Sequence, residues 1–439
     1  MYTSYIGKKF LHLYRKRHNK SETYSAAQFF EEEFFPLFFR DESHLMHVGN
    51  SPFFQRPREE DVARYGGRSL AQFQNLKNKI RNGVPSGATY VGFAAEEIQA
   101  TSSGQLTNMD FNIDEEEIYA SWIGEALAIG VNGGFAMLID EEEILFSLFS
   151  GWKHYRKYLQ QTPNVKDKQI ETWNGQWLYL ALLEDFNEED FNYSNIEAVE
   201  GIGGLAIPTQ KWSKVFFRLS KRYPSREIVI YAYNLSQTNT TLGFIKVYLP
   251  DIRHLYEFRD KIFINKEGVV LNDKQIESLE TFYNFKSACK NGSIGLKAME
   301  PAKLREFMPK GSVPYAQGKD FKFSDETSFI HYHLLKLWII AMLNKTDLHQ
   351  LASEVAKSLL DFERKPNRGK KDLDTLSEET RSASNIRTFI DRLTQILEAD
   401  NREVFRNVVD QVIRMPSDNF PLFVTLIRFE YAYQKVNNN

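Results

Sequence analysis

Cysteine is almost missing from this chain, which has one, Cys289, in 439 residues. That excludes an internal disulfide framework and any zinc site built on several thiolates. Long apolar runs are missing too. No stretch approaches the roughly 18 apolar residues that a membrane span needs. Lys8, Lys9, Arg15, Lys16 and Arg17 interrupt every apolar stretch of the N-terminal segment, which leaves no signal-peptide core. These absences point to a cytoplasmic protein without membrane contact.

Signatures of catalysis are also lacking. There is no GxxxxGK[ST], no GxSxG and no HExxH. Gly201-Ile202-Gly203-Gly204 resembles a phosphate loop, but Leu-Ala-Ile-Pro follows it rather than a helix whose N-terminus can face phosphate. His44/His47 and His331/His333 lack a third ligand at a suitable spacing, and helical residues two apart point away from each other. A metal-dependent nuclease needs carboxylates and a lysine beside the phosphate. Pro250-Asp251 with Asp260-Lys261 is the nearest match, yet the second pair falls in an expected helix. No catalytic residue, metal ligand or cofactor site is assigned.

What is present is ordinary in bulk and uneven in detail. Hydrophobic content of 42% and charged content of 26% are those of a globular protein, and the length suffices for two or three domains. The 34 Phe and 21 Tyr suit a wide core and partner interfaces; stacking platforms for single-stranded nucleic acid are the alternative. The net charge of −3 hides segregation. Residues 1–90 carry roughly +5, residues 91–200 roughly −16 and residues 205–265 roughly +6. Opposed patches of this kind suit a subunit that docks within an assembly.

The fold class is α+β: a mixed α/β N-terminal body with antiparallel strands, then a C-terminal all-helical bundle. The expected domains are 1–325 and 326–439. The phenylalanine-dense segment 24–39 predicts a buried helix stopped near Pro36. Ile113-Asp114-Glu115-Glu116-Glu117-Ile118 recurs as Ile139-Asp140-Glu141-Glu142-Glu143-Ile144. Asp caps a helix in each copy, and the glutamates fill its first turn against the positive dipole end. Apolar helices over 118–130 and 144–159 then follow. The runs 227–233 and 241–249 predict an antiparallel hairpin, with a helix over 251–263 after it.

Beyond 325 five helices are expected and no strand. They cover 326–343, a segment capped by Thr346 (with Leu348, Leu351, Val355, Leu359 and Phe362 on one stripe), 385–399, 401–414, and a last helix from Pro421 to about Tyr433. Residues 364–371 read as an exposed basic loop.

Two basic features remain. Lys211, Lys214, Arg218 and Arg222 fall on one helical face with Lys221 beside them, while Val215, Phe216 and Leu219 supply the apolar side. A solvated face and a phosphate-backbone contact are both compatible with this pattern. The loop Asn50–Arg58 offers Asn50, Ser51 and Gln55 to read base edges, Phe53 and Phe54 to wedge or stack, and Arg56 and Arg58 as cations. An ordinary turn is the alternative.

Gly49-Asn50-Ser51-Pro52-Phe53, the strand-then-helix segment Thr241–Phe263 and the helical bundle after 325 together resemble the large subunit of the type I CRISPR surveillance complex Cascade, of I-B-like type. Here Ser51 lies inside the first element, and the Cys pairs of some I-B relatives are absent. The resemblance implies a non-catalytic DNA-binding subunit. It implies protospacer-adjacent-motif recognition by the Asn50–Gln55 loop and displaced-strand contact along 211–226. The implied partners are the other Cascade subunits and guide RNA, double-stranded target DNA and its displaced strand, and a helicase-nuclease. An internal start at Met299, Met308 or Met342 for a separate C-terminal product is also implied. The alternatives are a scaffold or adaptor without nucleic-acid contact, and a metal-dependent nuclease.

Overall fold

The computed structural model describes residues 1–93, 113–253, 293–294, 335–336, 338–340, 342–343, 347–365, 370–417 and 419–437. The chain is α+β and divides into two units, Met1–Pro250 with Cys289–Ile294, and Asp251–Ala288 with Gly295–Asn439. The expected boundary at 325–326 and most of the expected helices over 251–263 and 326–343 lie outside the described residues.

In the first unit, helix α1 (Tyr2–Arg17) crosses helix α6 (Glu115–Glu125) backbone against backbone. An added Cβ on Gly7 would overlap the Ala120 carbonyl, and one on Gly124 would overlap the Thr3 carbonyl. Asp114 caps α6, its Oδ1 accepting from the Glu117 N–H at 2.7 Å. The glutamates that follow turn to α1. Glu116 accepts from Arg15 at 3.3 Å and from the Ala26 N–H at 2.7 Å. Glu117 pairs with Lys8 and accepts from the Tyr90 hydroxyl. Burial opposes its charge, yet hydrogen bonds from Lys8, Ser4 and Tyr90 draw its carboxyl down to about 2.

The second acidic copy departs from expectation. Helix α6 stops at Glu125, and the apolar run continues as strand β1 (Ile129–Val131), a turn at Gly133 and Gly134 with φ of +91° and +79°, and strand β2 (Phe135–Ile139). Asp140 extends that strand, its N–H bonding to the Val229 carbonyl at 3.3 Å, so it sits too early to cap helix α7 (Glu142–Gln161). Its carboxylate instead pairs with Lys9 and accepts from Tyr5.

The helix expected to stop near Pro36 runs through it. Helix α2 (Ala26–Phe29) passes into a π turn (Phe30–Phe34) and then into α3 (Phe35–Phe38), with Pro36 in the first turn of α3. The wider turn joins the Phe35 N–H to the Phe30 carbonyl. That absorbs the missing proline N–H and relieves the ring clash that would break a regular helix.

Strands β5 (Glu227–Asn234) and β6 (Gln237–Tyr248) form the expected hairpin, and the ladder extends into the polar segment between the two apolar runs. The sheet order is β1-β2-β5-β6, all antiparallel, with β7 (Ser293–Ile294) parallel to β6 at the edge. Helix α8 (Ile170–Ala181) lies so close on β1 that a Cβ at Gly175 would stand 2.6 Å from the Gly130 carbonyl oxygen. Against this seam lie two acids. Glu125, 2% exposed, accepts from the fully buried Tyr233 hydroxyl at 2.8 Å. Burial raises its carboxyl far above the ordinary range, and Glu171 raises it further. Burial raises Glu171 as well. No cation pairs with either acid among the described residues.

In the second unit, the helices Asp347–Glu363 and Phe420–Asn437 pack together, and Leu348, Leu351, Val355, Leu359 and Phe362 are buried as their spacing predicts. Thr346 lies outside the described residues. Helices Ile386–Gln395 and Arg402–Ile413 match two expected segments. Helix Lys370–Arg381 was not expected, and Lys370 and Lys371 belong to it rather than to a loop. Its buried positions are Leu373, Ser377, Thr380 and Arg381, so three of the four are polar and apolar periodicity passes over them. Inside this unit Glu430 is held by Lys336 at 2.7 Å and His349 at 3.2 Å.

The acid pair makes stability depend on pH. An unfolded carboxyl loses its proton near 4.5, whereas the folded pair keeps its protons to much higher pH. The folded state therefore binds more protons across that window, and stability falls as pH rises through it. Thermal melts from pH 5 to 9 should show a melting temperature lower by roughly 5 °C or more at the alkaline end. Glu125→Gln should flatten that slope. A flat wild-type profile contradicts the assignment.

Candidate nucleic-acid interface

The Asn50–Arg58 loop is built around a 3-10 turn at Pro52–Phe54. Asn50 sits at the tip, exposed, with φ of +61°, a left-handed conformation that asparagine tolerates better than most residues. Its side-chain amide makes no hydrogen bond among the described residues. Gln55 is exposed but occupied: its Nε2 donates to the Asn50 carbonyl at 2.7 Å, and its Oε1 accepts from Lys79 at 3.1 Å. From beneath, Gln72 of helix α5 (Arg68–Asn82) donates from Nε2 to the Phe53 carbonyl at 2.9 Å and the Gln55 carbonyl at 2.8 Å. Arg56 and Arg58 are exposed; Arg56 makes a 3.6 Å pair with Glu59, which at that exposure holds it only weakly.

Two loop residues face inward. Ser51 is fully buried, and its Oγ has no hydrogen-bond partner among the described residues. Phe53 is 2% exposed, stacks on Phe39 at 3.9 Å with an interplanar angle of 2°, and makes a T-shaped contact with Trp122 at 5.9 Å. This ring anchors the loop to the core and is not presented to a ligand. Phe54 is half-buried against His47 and His44, with Lys168 over its face. Burial, with Lys168 adding to it, pushes the His44 imidazole down to about 4, so it is neutral.

The turn leading into the loop is held by Arg156 of α7, which is 7% exposed. Its guanidinium donates to the Leu37 carbonyl from Nε (2.9 Å) and Nη2 (2.5 Å), and to the Ser43 carbonyl from Nη1 (2.7 Å). Asp41 lies 3.4 Å away. The fork caps the end of α3, where carbonyls lack helical partners.

The second basic feature is helix α9 (Trp212–Arg222), with Lys211 as its N-cap residue. Val215, Phe216 and Leu219 are buried as expected. The cations do not form one free face. Arg218 lies 3.5 Å over the Tyr179 ring and donates to the Tyr179 carbonyl at 2.9 Å, while Lys214 sits over the same ring at 5.4 Å. Lys221 pairs with Glu184 at 3.0 Å. Lys211, Lys214 and Arg218 are half-buried; Lys221 and Arg222 are exposed.

Gly201-Ile202-Gly203-Gly204 is the turn of a two-stranded hairpin, β3 (Val199–Gly201) and β4 (Gly204–Ala206), with Gly203 at φ +84° and Ile202 99% exposed. Among the described residues no group of three or more His, Cys, Asp or Glu is placed to hold a metal ion, and no helix is long and apolar enough to cross a membrane. Asp260, Lys261, His331, His333 and Cys289 lie outside the described residues.

Gln72, Lys79, Arg156 and Tyr179 were not singled out from sequence. Gln72 alone left a signal, as a polar residue in register with the buried Leu76 and Ile80 of α5.

Arg156→Ala leaves the Leu37 and Ser43 carbonyls short of donors and should cost about 3 kcal/mol in urea denaturation. Arg156→Lys should recover less than half of that, because an ammonium cannot reproduce the planar fork. Full recovery by lysine would show that charge alone matters.

No protein-family model, curated protein or solved structure matches this chain.

Proposed function

We propose that this protein is a non-catalytic DNA-binding subunit of a type I CRISPR effector complex, acting in the cytoplasm beside guide RNA, the other complex subunits and a helicase-nuclease. In this reading it recognises a short motif in duplex DNA, helps to open the duplex and guides the displaced strand. The observation that carries it is the loop at Asn50, whose amide is held out on a rigid turn with two exposed arginines directly after it. Side-chain amides read base edges by paired hydrogen bonds, and arginines neutralise phosphate. On α9 the exposed Arg222 suits a backbone contact better than Lys221, which is paired with Glu184, or Lys214 and Arg218, which are stacked on Tyr179.

A scaffold without nucleic-acid contact is the second reading. It is favoured by the outward face of β5–β6, where Phe244 is 58% and Tyr248 47% exposed and Lys246 is neutralised by Glu227. A neutral aromatic face suits a protein partner.

Labelled duplex DNA titrated with the full chain across a salt series separates the two readings. DNA binding should weaken steeply with salt. Reversing Arg56 and Arg58 to Glu should weaken it for every sequence and reduce the salt slope by roughly one per lost contact. Asn50→Ala should relax motif choice instead. No salt-dependent binding, alone or with its neighbouring subunits, removes the first reading.

A further inference from the structure

The loop carries two exposed amides, and the structure gives them different work. Gln55 is engaged at both ends, its donor on the Asn50 carbonyl and its acceptor on Lys79. Gln72 is 3% exposed and closes a second link below, one amide nitrogen bridging the Phe53 and Gln55 carbonyls. The loop ends are thus cross-linked twice: Gln55 spans the opening above, and Gln72 ties the far limb to α5. Phe53 fixes the middle against Phe39. Of the two exposed amides, Asn50's makes no hydrogen bond among the described residues, which leaves its donor and acceptor to a ligand.

We infer that Gln72, Gln55 and Lys79 are a brace, that Gln55 is a positioning residue rather than a base reader, and that Asn50 is the specificity-determining group of the loop. This rests on the DNA-binding reading above. A pre-set loop loses little conformational freedom on binding, so discrimination at Asn50 is not diluted by the cost of ordering the chain. A wrong base then meets an amide whose backbone anchor is held from shifting to accommodate it. The brace also assigns Lys79, which by charge alone would be taken for a phosphate contact.

The test is selection of the full chain on duplexes with a randomised motif, read position by position, with salt slope and melting temperature measured in parallel. In the wild-type protein, a preferred motif is expected. Asn50→Ala should leave one position degenerate. Gln72→Met keeps the volume and removes the donors; it should lower discrimination about tenfold across all positions together, with the salt slope unchanged. Gln55→Met lies on the surface, cannot damage the core, and should give the same uniform loss. Lys79→Met should do so more weakly.

Degeneracy at a single position in Gln55→Met makes Gln55 a reader and overturns the assignment. A salt slope lower by about one in Lys79→Met with an unaltered motif profile makes Lys79 a phosphate contact. Wild-type discrimination in both Gln72→Met and Gln55→Met overturns the brace altogether. A wild-type protein that binds duplex without any preferred motif instead defeats the reading on which the brace rests.

Discussion

The first unit depends on a contact made without side chains. Where α1 crosses α6, Gly7 and Gly124 leave the two backbones touching, and any Cβ there would force the helices apart. Everything α6 carries is located by that crossing. Glu116 and Glu117 meet Arg15 and Lys8 at one end. Trp122 stands in the middle, its Nε1 donating to the Thr89 carbonyl at 2.7 Å and its ring under Phe30, Phe39 and Phe53. Glu125 reaches Tyr233 at the far end. The exposed loop therefore rests on Phe53, Phe53 on Trp122, and Trp122 on a close approach that only glycine permits.

The crossing also changes what the charge segregation means. An acidic middle between two basic segments suggests faces offered to partners. In the folded unit much of that opposition is satisfied internally. Asp140, Glu116 and Glu117 meet Lys9, Arg15 and Lys8; Glu141 meets Arg226 and Glu184 meets Lys221. Segments of opposite sign lie together because they fold together. What remains for a partner is smaller and more local, such as Arg56 and Arg58 on the loop and Arg222 at the end of α9.

Sequence made the periodic parts legible and concealed the parts set by tertiary contact. The stripe Leu348–Phe362, the hairpin 227–249 and the cap at Asp114 all follow from local rules. β1 and β2 were hidden because Ala126–Val131 is apolar without a break, so no period separates strand from helix; Asn132-Gly133-Gly134 was the overlooked turn signal. Helix Lys370–Arg381 was hidden by Ser377 and Thr380 in its buried stripe. At the candidate interface, the exposed arginines and Asn50 were readable from residue type. The inward turn of Phe53, the hold of Lys79 on the Gln55 acceptor and the capture of Arg218 by Tyr179 were not, because each depends on a residue at least 14 positions away.

The π turn at Phe30–Phe34 works as a register adjuster. It takes in one residue more than an α-turn needs, so the aromatic faces before and after it are phased independently. Phe30 meets Trp122 and Tyr119, while Phe34 and Phe38, stacked at 4.1 Å, meet Trp152. Loss of one residue among Glu31–Glu33 would close the wide turn to an α-turn with the following residues still in phase, but the Pro36 ring would then meet the carbonyl four residues before it, as in any regular helix. That clash would kink the segment that sets Phe35 on Phe73, Phe38 on Trp152 and the Leu37 carbonyl on Arg156. Length in this segment is therefore constrained more tightly than identity: the three glutamates can be exchanged far more readily than any one of them can be removed.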